Sequence, residues 1–430
     1  MKKQWLLIFF ALLFCAAIRA QIVNGIVEFP QTNNACAESS YCCDYPPDCN
    51  PIGNVMVLAE NLVTGAKDSM NTLADGTFSL DVGFGTLRLS PKVSDQNWLN
   101  GVSTLDLLKI QQFILGTDQL SCAFRRIAAD VDFSGHIDSV DRNTIQDLIL
   151  GKISSFQGVP NWRSVPKVIV DSFDLHPKFN SFINPFFWEL DNVLPTEMSP
   201  PFTQLESYIN ISPVFYIYQQ QNSNFRSAMD GLSYWPNPEE GADCFSDIPM
   251  GFYMFKAGDV SGNADYSSFS PLSNDERKVP INEYVSYIKR PLIDLRSENS
   301  ATVILKAYYV GKISGWQIGL KISHPEFREK VEVSPNPVVP GFSTKENMSF
   351  LNGEDQATEI RALWFSKKPE ENLDLAEGVT LLSFAVPGDL AKELVNREGL
   401  WLSAEVLIPE FIDETGEIIT DKVVFEIAIK

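Results

Sequence analysis

Two acidic loops contain most of the residues in this chain that are arranged like the ligands of a metal ion. The second loop covers residues 130–141, and oxygen-bearing residues alternate along it. A hard divalent cation takes six to eight oxygen ligands, which alternate residues of a tight loop can supply. The spacing therefore predicts a calcium site, although an Asp-rich turn that caps a helix without metal stays open. The predicted ligands, at positions 1, 3, 5, 7, 9 and 12, are Asp130, Asp132, Ser134, His136 through its backbone carbonyl, Asp138 and Asp141.

The first loop, residues 95–106, follows the same pattern less regularly. Leu99 stands at position 5, and Asn100 takes position 6, where the backbone turns sharply. Two carboxylates here against four in the second loop predict weaker calcium binding, because affinity follows the charge of the ligands. The predicted ligands are Asp95, Asn97, Asn100 and Asp106.

The segment that carries each set of predicted ligands occurs twice in the sequence. Residues 95–116 and 130–151 match at a fixed offset of 35 residues, and both end in Ile-Leu-Gly. Each loop leads into an apolar-striped segment that predicts a helix, ended by Gly116 or Gly151. Duplication at one offset, with matched polar and apolar positions, indicates two copies of one loop–helix unit.

These paired units, with Asp at loop position 12, resemble dockerin type I domains. The resemblance covers about residues 92–152 and implies a small helical domain that holds two calcium ions and docks on a cohesin β-sandwich. Dockerins contact cohesins near loop positions 10 and 11, which are Thr104–Leu105 and Ser139–Val140 here. Two destinations for these residues stay open: a cohesin-like partner, or a β-sandwich of the same chain.

The flanking segments predict a mainly β, multidomain fold with two β-sandwiches around the small all-α dockerin-like domain. Residues 21–91 resemble prealbumin-like or carboxypeptidase-regulatory-like sandwiches, with Asp75–Gly76 as a hairpin turn. Residues 153–290 are rich in aromatic residues and proline, and residues 259–263 within them are interpreted as a linker turn. Residues 291–430 resemble cohesin-like or carbohydrate-binding-module-like sandwiches.

The N-terminal residues predict export. Residues 1–20 have the basic start and short apolar run of a cleaved signal peptide, and no later apolar run is long enough to cross a membrane. In an oxidising compartment the cysteine-rich loop is interpreted as disulfide-tied, with its connectivity open. The cysteines that would remain after cleavage are Cys36, Cys42, Cys43, Cys49, Cys122 and Cys244.

The net charge and the motifs of the sequence limit the classes of function that are expected. With Lys+Arg 34 against Asp+Glu 55, the net charge is −21, which argues against a nucleic-acid partner. The sequence contains neither a nucleophile elbow, nor a zinc-protease motif, nor a phosphate loop.

We therefore expect a non-catalytic, calcium-stabilised protein that is secreted or on the surface of a Gram-negative bacterium. Its expected role is attachment to proteins or glycans in polysaccharide degradation. This location also rests on a resemblance: the order of the segments, with Asn161–Pro166 and Lys256–Ala264, is similar to large secreted surface proteins of such bacteria. The alternative is a secreted carbohydrate-active hydrolase with its site in residues 153–290.

Overall fold

The chain divides into two compact units. The first takes the described residues within 22–100, 120–137 and 157–269, and the second those within 101–118, 138–156 and 286–429. The division therefore passes through both acidic loops. The computed structural model describes residues 22–30, 49–61, 64–81, 87–93, 95, 97–118, 120, 123–132, 134, 136–166, 215–217, 250–269, 286–289, 300–322, 327, 331–334, 339–353, 357–391 and 400–429.

Two sheets form the first unit. One has the order β2-β1-β9-β7, with β5 also paired to β1, and the other has the order β4-β3-β6-β8. Apolar residues of both sheets, including Val27, Val57 and Phe252, share one core, as expected for a sandwich. The strands are β1 (Ile22–Pro30), β2 (Cys49–Pro51), β3 (Met56–Asn61), β4 (Lys67–Asn71), β5 (Thr77–Asp81), β6 (Leu87–Lys92), β7 (Trp162–Pro166), β8 (Phe215–Ile217) and β9 (Met250–Lys256).

The second unit also contains two sheets around one core. Their orders are β10-β20-β11-β17-β13 and β14-β15-β12-β16, and β18 and β19 also pair with β12. Trp316 and Trp364 are among its largest fully buried side chains. The strands are β10 (Ser286–Lys289), β11 (Ser300–Tyr308), β12 (Lys312–Ile322), β13 (Glu332–Ser334), β14 (Met348–Asn352), β15 (Thr358–Phe365), β16 (Leu373–Asp374), β17 (Val379–Pro387), β18 (Leu400–Leu402), β19 (Glu410–Asp413) and β20 (Val424–Ile429).

Helices are few and short in the described residues. The helices of the repeat, α1 (Thr104–Ile114) and α3 (Ser139–Ile149), begin and end 35 positions apart and belong to the second unit. Gly116 and Gly151 follow them with φ of 73° and 69°, the left-handed conformation that ends a helix. The remaining helices are α2 (Ala123–Ala129), the single turn α4 (Thr344–Asn347) and the 3₁₀ turns Ser267–Phe269, Pro369–Glu371 and Thr420–Lys422. Among the described residues, we find no helix long and apolar enough to span a membrane.

The segment after β9 differs from the linker turn expected there. β9 pairs in parallel with β1 and antiparallel with β7, which places it inside the first sheet. The turn that follows is closed by the buried Asp259, whose carboxylate accepts hydrogen bonds from the N–H groups of Gly262, Asn263 and Ala264 at 2.6, 3.2 and 2.9 Å. Burial raises the pKa of Asp259, and these hydrogen bonds oppose that rise. The segment is thus an ordered turn of the first unit.

Candidate metal centre

The second acidic loop brings three carboxylates of one continuous segment together. Carboxylate oxygens of Asp130, Asp132 and Asp141 lie within 4.8 Å of one another, and Asp130 and Asp141 are fully buried. Ionised carboxylates at this separation repel one another, and a divalent cation between them offsets the repulsion. This hard oxygen donor set fits calcium.

The middle of the second loop adds further oxygens. The Ser134 N–H donates to the carboxylates of Asp130 and Asp132 at 3.1 and 2.9 Å, and the Ser134 hydroxyl donates to the His136 carbonyl at 3.0 Å. These bonds hold Asp130, Asp132, Ser134 and His136 close together. Positions 5 and 7 therefore present their oxygens side by side.

The last loop positions also start the helices. At α3, Asp138 accepts from the Val140 N–H at 2.6 Å, and Asp141 accepts from the Asp138 N–H at 3.0 Å. Ser103 and Asp106 form the equivalent capping box at α1. Capping a helix satisfies N–H groups that have no partner in its first turn. The last positions of both loops thus cap the helices, and at the second loop the cap accompanies the carboxylate cluster.

The first loop is held by protein donors. Asp95 accepts the Trp162 indole N–H at 2.8 Å, and its Oδ2 lies 3.9 Å from the Lys256 Nζ. The Asn100 side chain bonds both backbone groups of Asp265, donating to its carbonyl at 2.7 Å and accepting from its N–H at 2.8 Å. Asn97 caps the Leu99 N–H at 3.0 Å with its side-chain oxygen. Donors of the chain therefore already occupy these predicted ligands.

Two segments, Asn161–Pro166 and Lys256–Ala264, contribute donors to the acidic loops. The sequence alone indicated them only as part of the resemblance to secreted surface proteins. In the first segment, Asn161 and Trp162 contact the first loop, whereas Arg163 donates to the Asp130 carbonyl of the second loop at 3.2 Å. Burial lowers the pKa of Arg163 to about 10, and Asp130 opposes that shift. In the second segment, Lys256 reaches the first loop, and the Gly258 N–H donates to the Ala128 carbonyl at 2.8 Å. Sequence reasoning missed these roles because the contacts join distant segments.

Within the second unit, the start of α1 packs on the sandwich. The Gln317 Oε1 of β12 accepts from the Thr104 N–H and hydroxyl at 2.8 and 2.9 Å. The Glu410 Oε1 of β19 accepts from the Ser103 hydroxyl at 2.9 Å and the Leu105 N–H at 3.1 Å. Leu105 and Leu108 also bury their side chains against Ile412. Positions 10 and 11 of the first loop therefore contact the chain's own sandwich.

Two glycines of β12 permit close approaches, by α1 at Gly315 and by the turn after β18 at Gly319. A Cβ at Gly315 would lie 3.1 Å from the Thr104 methyl carbon, and one at Gly319 would lie 2.5 Å from the Leu407 backbone nitrogen. Gln317 lies between them on the same face of the strand, because side chains alternate along a strand. A Gly-x-Gln-x-Gly pattern in a predicted strand is the sequence signal that could have revealed this contact.

The start of α1 should respond to pH through Glu410. Burial raises the pKa of Glu410 to about 7 from its usual 4.5, against the lowering effect of the hydrogen bonds from Ser103 and Leu105. Folding therefore favours the protonated acid, and the contribution of Glu410 to stability should be full below pH 4.5 and be lost as pH rises to about 7.

We expect Glu410→Gln to remove this dependence because glutamine keeps the acceptor and cannot ionise. Relative to wild type, the variant should gain up to about 1.4 kcal/mol per pH unit across that window. Urea unfolding at about pH 5 and about pH 8 measures the difference. Glu405→Gln, at a side chain 60% exposed, is the matched control. Equal pH dependence in wild type and Glu410→Gln would contradict this assignment.

Comparisons with known proteins give little further information. No family model matches the chain, and no curated protein matches it. One solved structure matches: the Coh-OlpC–Doc435 complex, described as a novel type I cohesin–dockerin complex from Clostridium thermocellum. The match has 14% sequence identity and covers 34% of this chain and 90% of that chain, with a TM-score of 0.19. A TM-score this low carries no argument about fold or function.

Several predictions concern residues outside the described part of the chain. They include the signal peptide at residues 1–20, the cysteines Cys36, Cys42, Cys43, Cys122 and Cys244, and most of the aromatic segment. Cys49 lies in β2, and Phe215–Ile217 form β8. The disulfide interpretation and the hydrolase alternative stay predictions.

Proposed function

We propose that this chain is a non-catalytic, secreted modular protein for attachment to proteins or glycans, in which calcium stabilises a dockerin-like loop–helix pair. The observation that carries the proposal is the carboxylate cluster of the second loop, formed by Asp130, Asp132 and Asp141. Calcium there would offset three negative charges at the point where α3 begins. Ser134 and the His136 carbonyl are the further oxygens that would hold it. The bound ion would supply a fixed positive centre and take no part in bond making or breaking.

The packing of α1 supports an intramolecular role for half of the loop–helix pair. Thr104 and Leu105 occupy the positions through which dockerins contact cohesins, and both are buried in the second unit. That surface is therefore used within the chain. Their counterparts at the start of α3 are exposed, with Val140 at 52%. We propose that any protein partner of the pair contacts this exposed start of α3.

The attachment function can be separated from the hydrolase alternative by one paired experiment. The full chain, in calcium, is applied to a polysaccharide and oligosaccharide array, and the same glycans are assayed for released reducing sugar. We expect retention of a glycan, or no retention if the target is a protein, and no sugar release in either case. Release that one carboxylate substitution abolishes would overturn the non-catalytic function, because glycosidases act through paired carboxylates.

A further inference from the structure

A buried lysine contacts the first acidic loop. Lys256 is the last residue of β9, and its side chain is 0% exposed. Its Nζ contacts the Asn97 carbonyl and the Asn161 Oδ1, and lies 3.9 Å from the Asp95 Oδ2. All four residues belong to the first unit.

The surroundings of this nitrogen suit a positive charge. The ammonium donates to two oxygens, those of the Asn97 carbonyl and the Asn161 side chain, and the Asp95 carboxylate adds an opposite charge at 3.9 Å. The rings of Trp98 and Trp162 lie 5.7 and 5.6 Å from the Lys256 Nζ, within the range of a cation–π interaction. Burying an ammonium costs several kcal/mol unless such partners compensate. Burial still lowers the pKa of Lys256 to about 7, and the negative charges of Asp95 and Asp259 oppose that lowering, so these partners offset part of the cost.

The rest of the first loop leaves little for a metal to bind. Asp95 also accepts the Trp162 indole N–H, and Asn100 is bonded to the backbone of Asp265. Leu99 has no side-chain oxygen at position 5, where the second loop has Ser134. Two acceptors in the first loop, Asp95 and the Asn97 carbonyl, face the lysine instead.

We propose that the ammonium of Lys256 replaces calcium in the first loop, so that of the two acidic loops only the second binds calcium. Lys256 then stabilises the first loop at any calcium concentration, whereas the second loop depends on bound calcium. The prediction that one calcium ion binds rests on the calcium function proposed above. The contacts of Lys256 with the first loop do not depend on that function.

A double-mutant cycle tests the lysine independently of calcium. Urea unfolding of the full chain in chelator is measured for wild type, Asp95→Asn, Lys256→Met and the double variant. We expect the two substitutions to be coupled by about tenfold or more in the unfolding equilibrium constant. The control cycle uses Lys422→Met and Glu417→Gln, an exposed pair 3.2 Å apart, and should give less than about fivefold. Absence of coupling between Asp95 and Lys256 would overturn the inference.

Counting bound calcium gives a second test that leaves Lys256 intact. Equilibrium dialysis should find a single ion on wild type and on Asp95→Asn, and none on Asp130→Asn. Two ions on wild type, one of them lost in Asp95→Asn, would show that the first loop binds metal and would overturn the inference. If wild type binds no calcium, the proposed calcium function fails, and the cycle alone decides the role of the lysine.

Discussion

Replacing Leu105 with alanine is expected to lower the free energy of unfolding of the second unit by about 2–3 kcal/mol, the lower part of the range for buried leucines. The Leu105 side chain is 8% exposed and packs with Leu108 and Ile412. Its truncation leaves a cavity between α1 and the sandwich that the surrounding strands cannot fully close. Urea unfolding followed by far-ultraviolet circular dichroism measures the loss.

The repeat supplies a matched control for this substitution. Val140 stands at the same loop position, 35 residues later, and is 52% exposed. Val140→Ala should change stability by less than about 0.5 kcal/mol, as is usual for exposed sites. If the two substitutions cost the same, the start of α1 does not pack on the sandwich as described. The comparison therefore tests whether the start of α1 packs on the sandwich of the same chain.

Replacing Asp130 with alanine is expected to abolish the stabilisation that calcium provides. A ligand present at 100 times its dissociation constant stabilises the folded state by about 2.7 kcal/mol, and Asp130→Ala should lose that amount. Asp130 is a buried member of the carboxylate cluster and also orders Ser134 within the loop.

The matched control is the same change at position 1 of the first loop, Asp95→Ala. Urea unfolding of both variants and wild type is measured in calcium and in chelator, and the difference between the two conditions is the calcium-linked part. Asp130→Ala should reduce this difference far more than Asp95→Ala, whose cost should be similar in both conditions. Equal reductions would contradict our ranking of the two loops.

The elements that local sequence determines were predictable. The boundaries of α1 and α3 follow from the 35-residue repeat, from capping residues such as Ser103 and Asp138, and from glycines after the helices. The signals for these features lie within one or two turns of chain. The turn at Gly76 was predicted in the same way, with φ of 75°. The hairpin expected there was wrong, because β4 pairs with β3 and β5 pairs with β1.

The contacts that complete the site were not predictable. Glu410 lies 305 residues from Leu105, and Asp265 lies 165 residues from Asn100. Hydrophobic periodicity describes which face of an element is buried but not which distant side chain meets it. The end of β18 at Leu402 is of the same kind, since a turn over Gly319 of β12 follows.

The most direct test of the calcium function is a calorimetric titration of the chelator-treated full chain with calcium, with thermal unfolding measured before and after. We predict saturable uptake with a dissociation constant on the order of micromolar, as in sensor-class loops, and a higher melting temperature in calcium. Absence of both binding heat and a melting shift would contradict the central claim that calcium stabilises this protein through its second acidic loop.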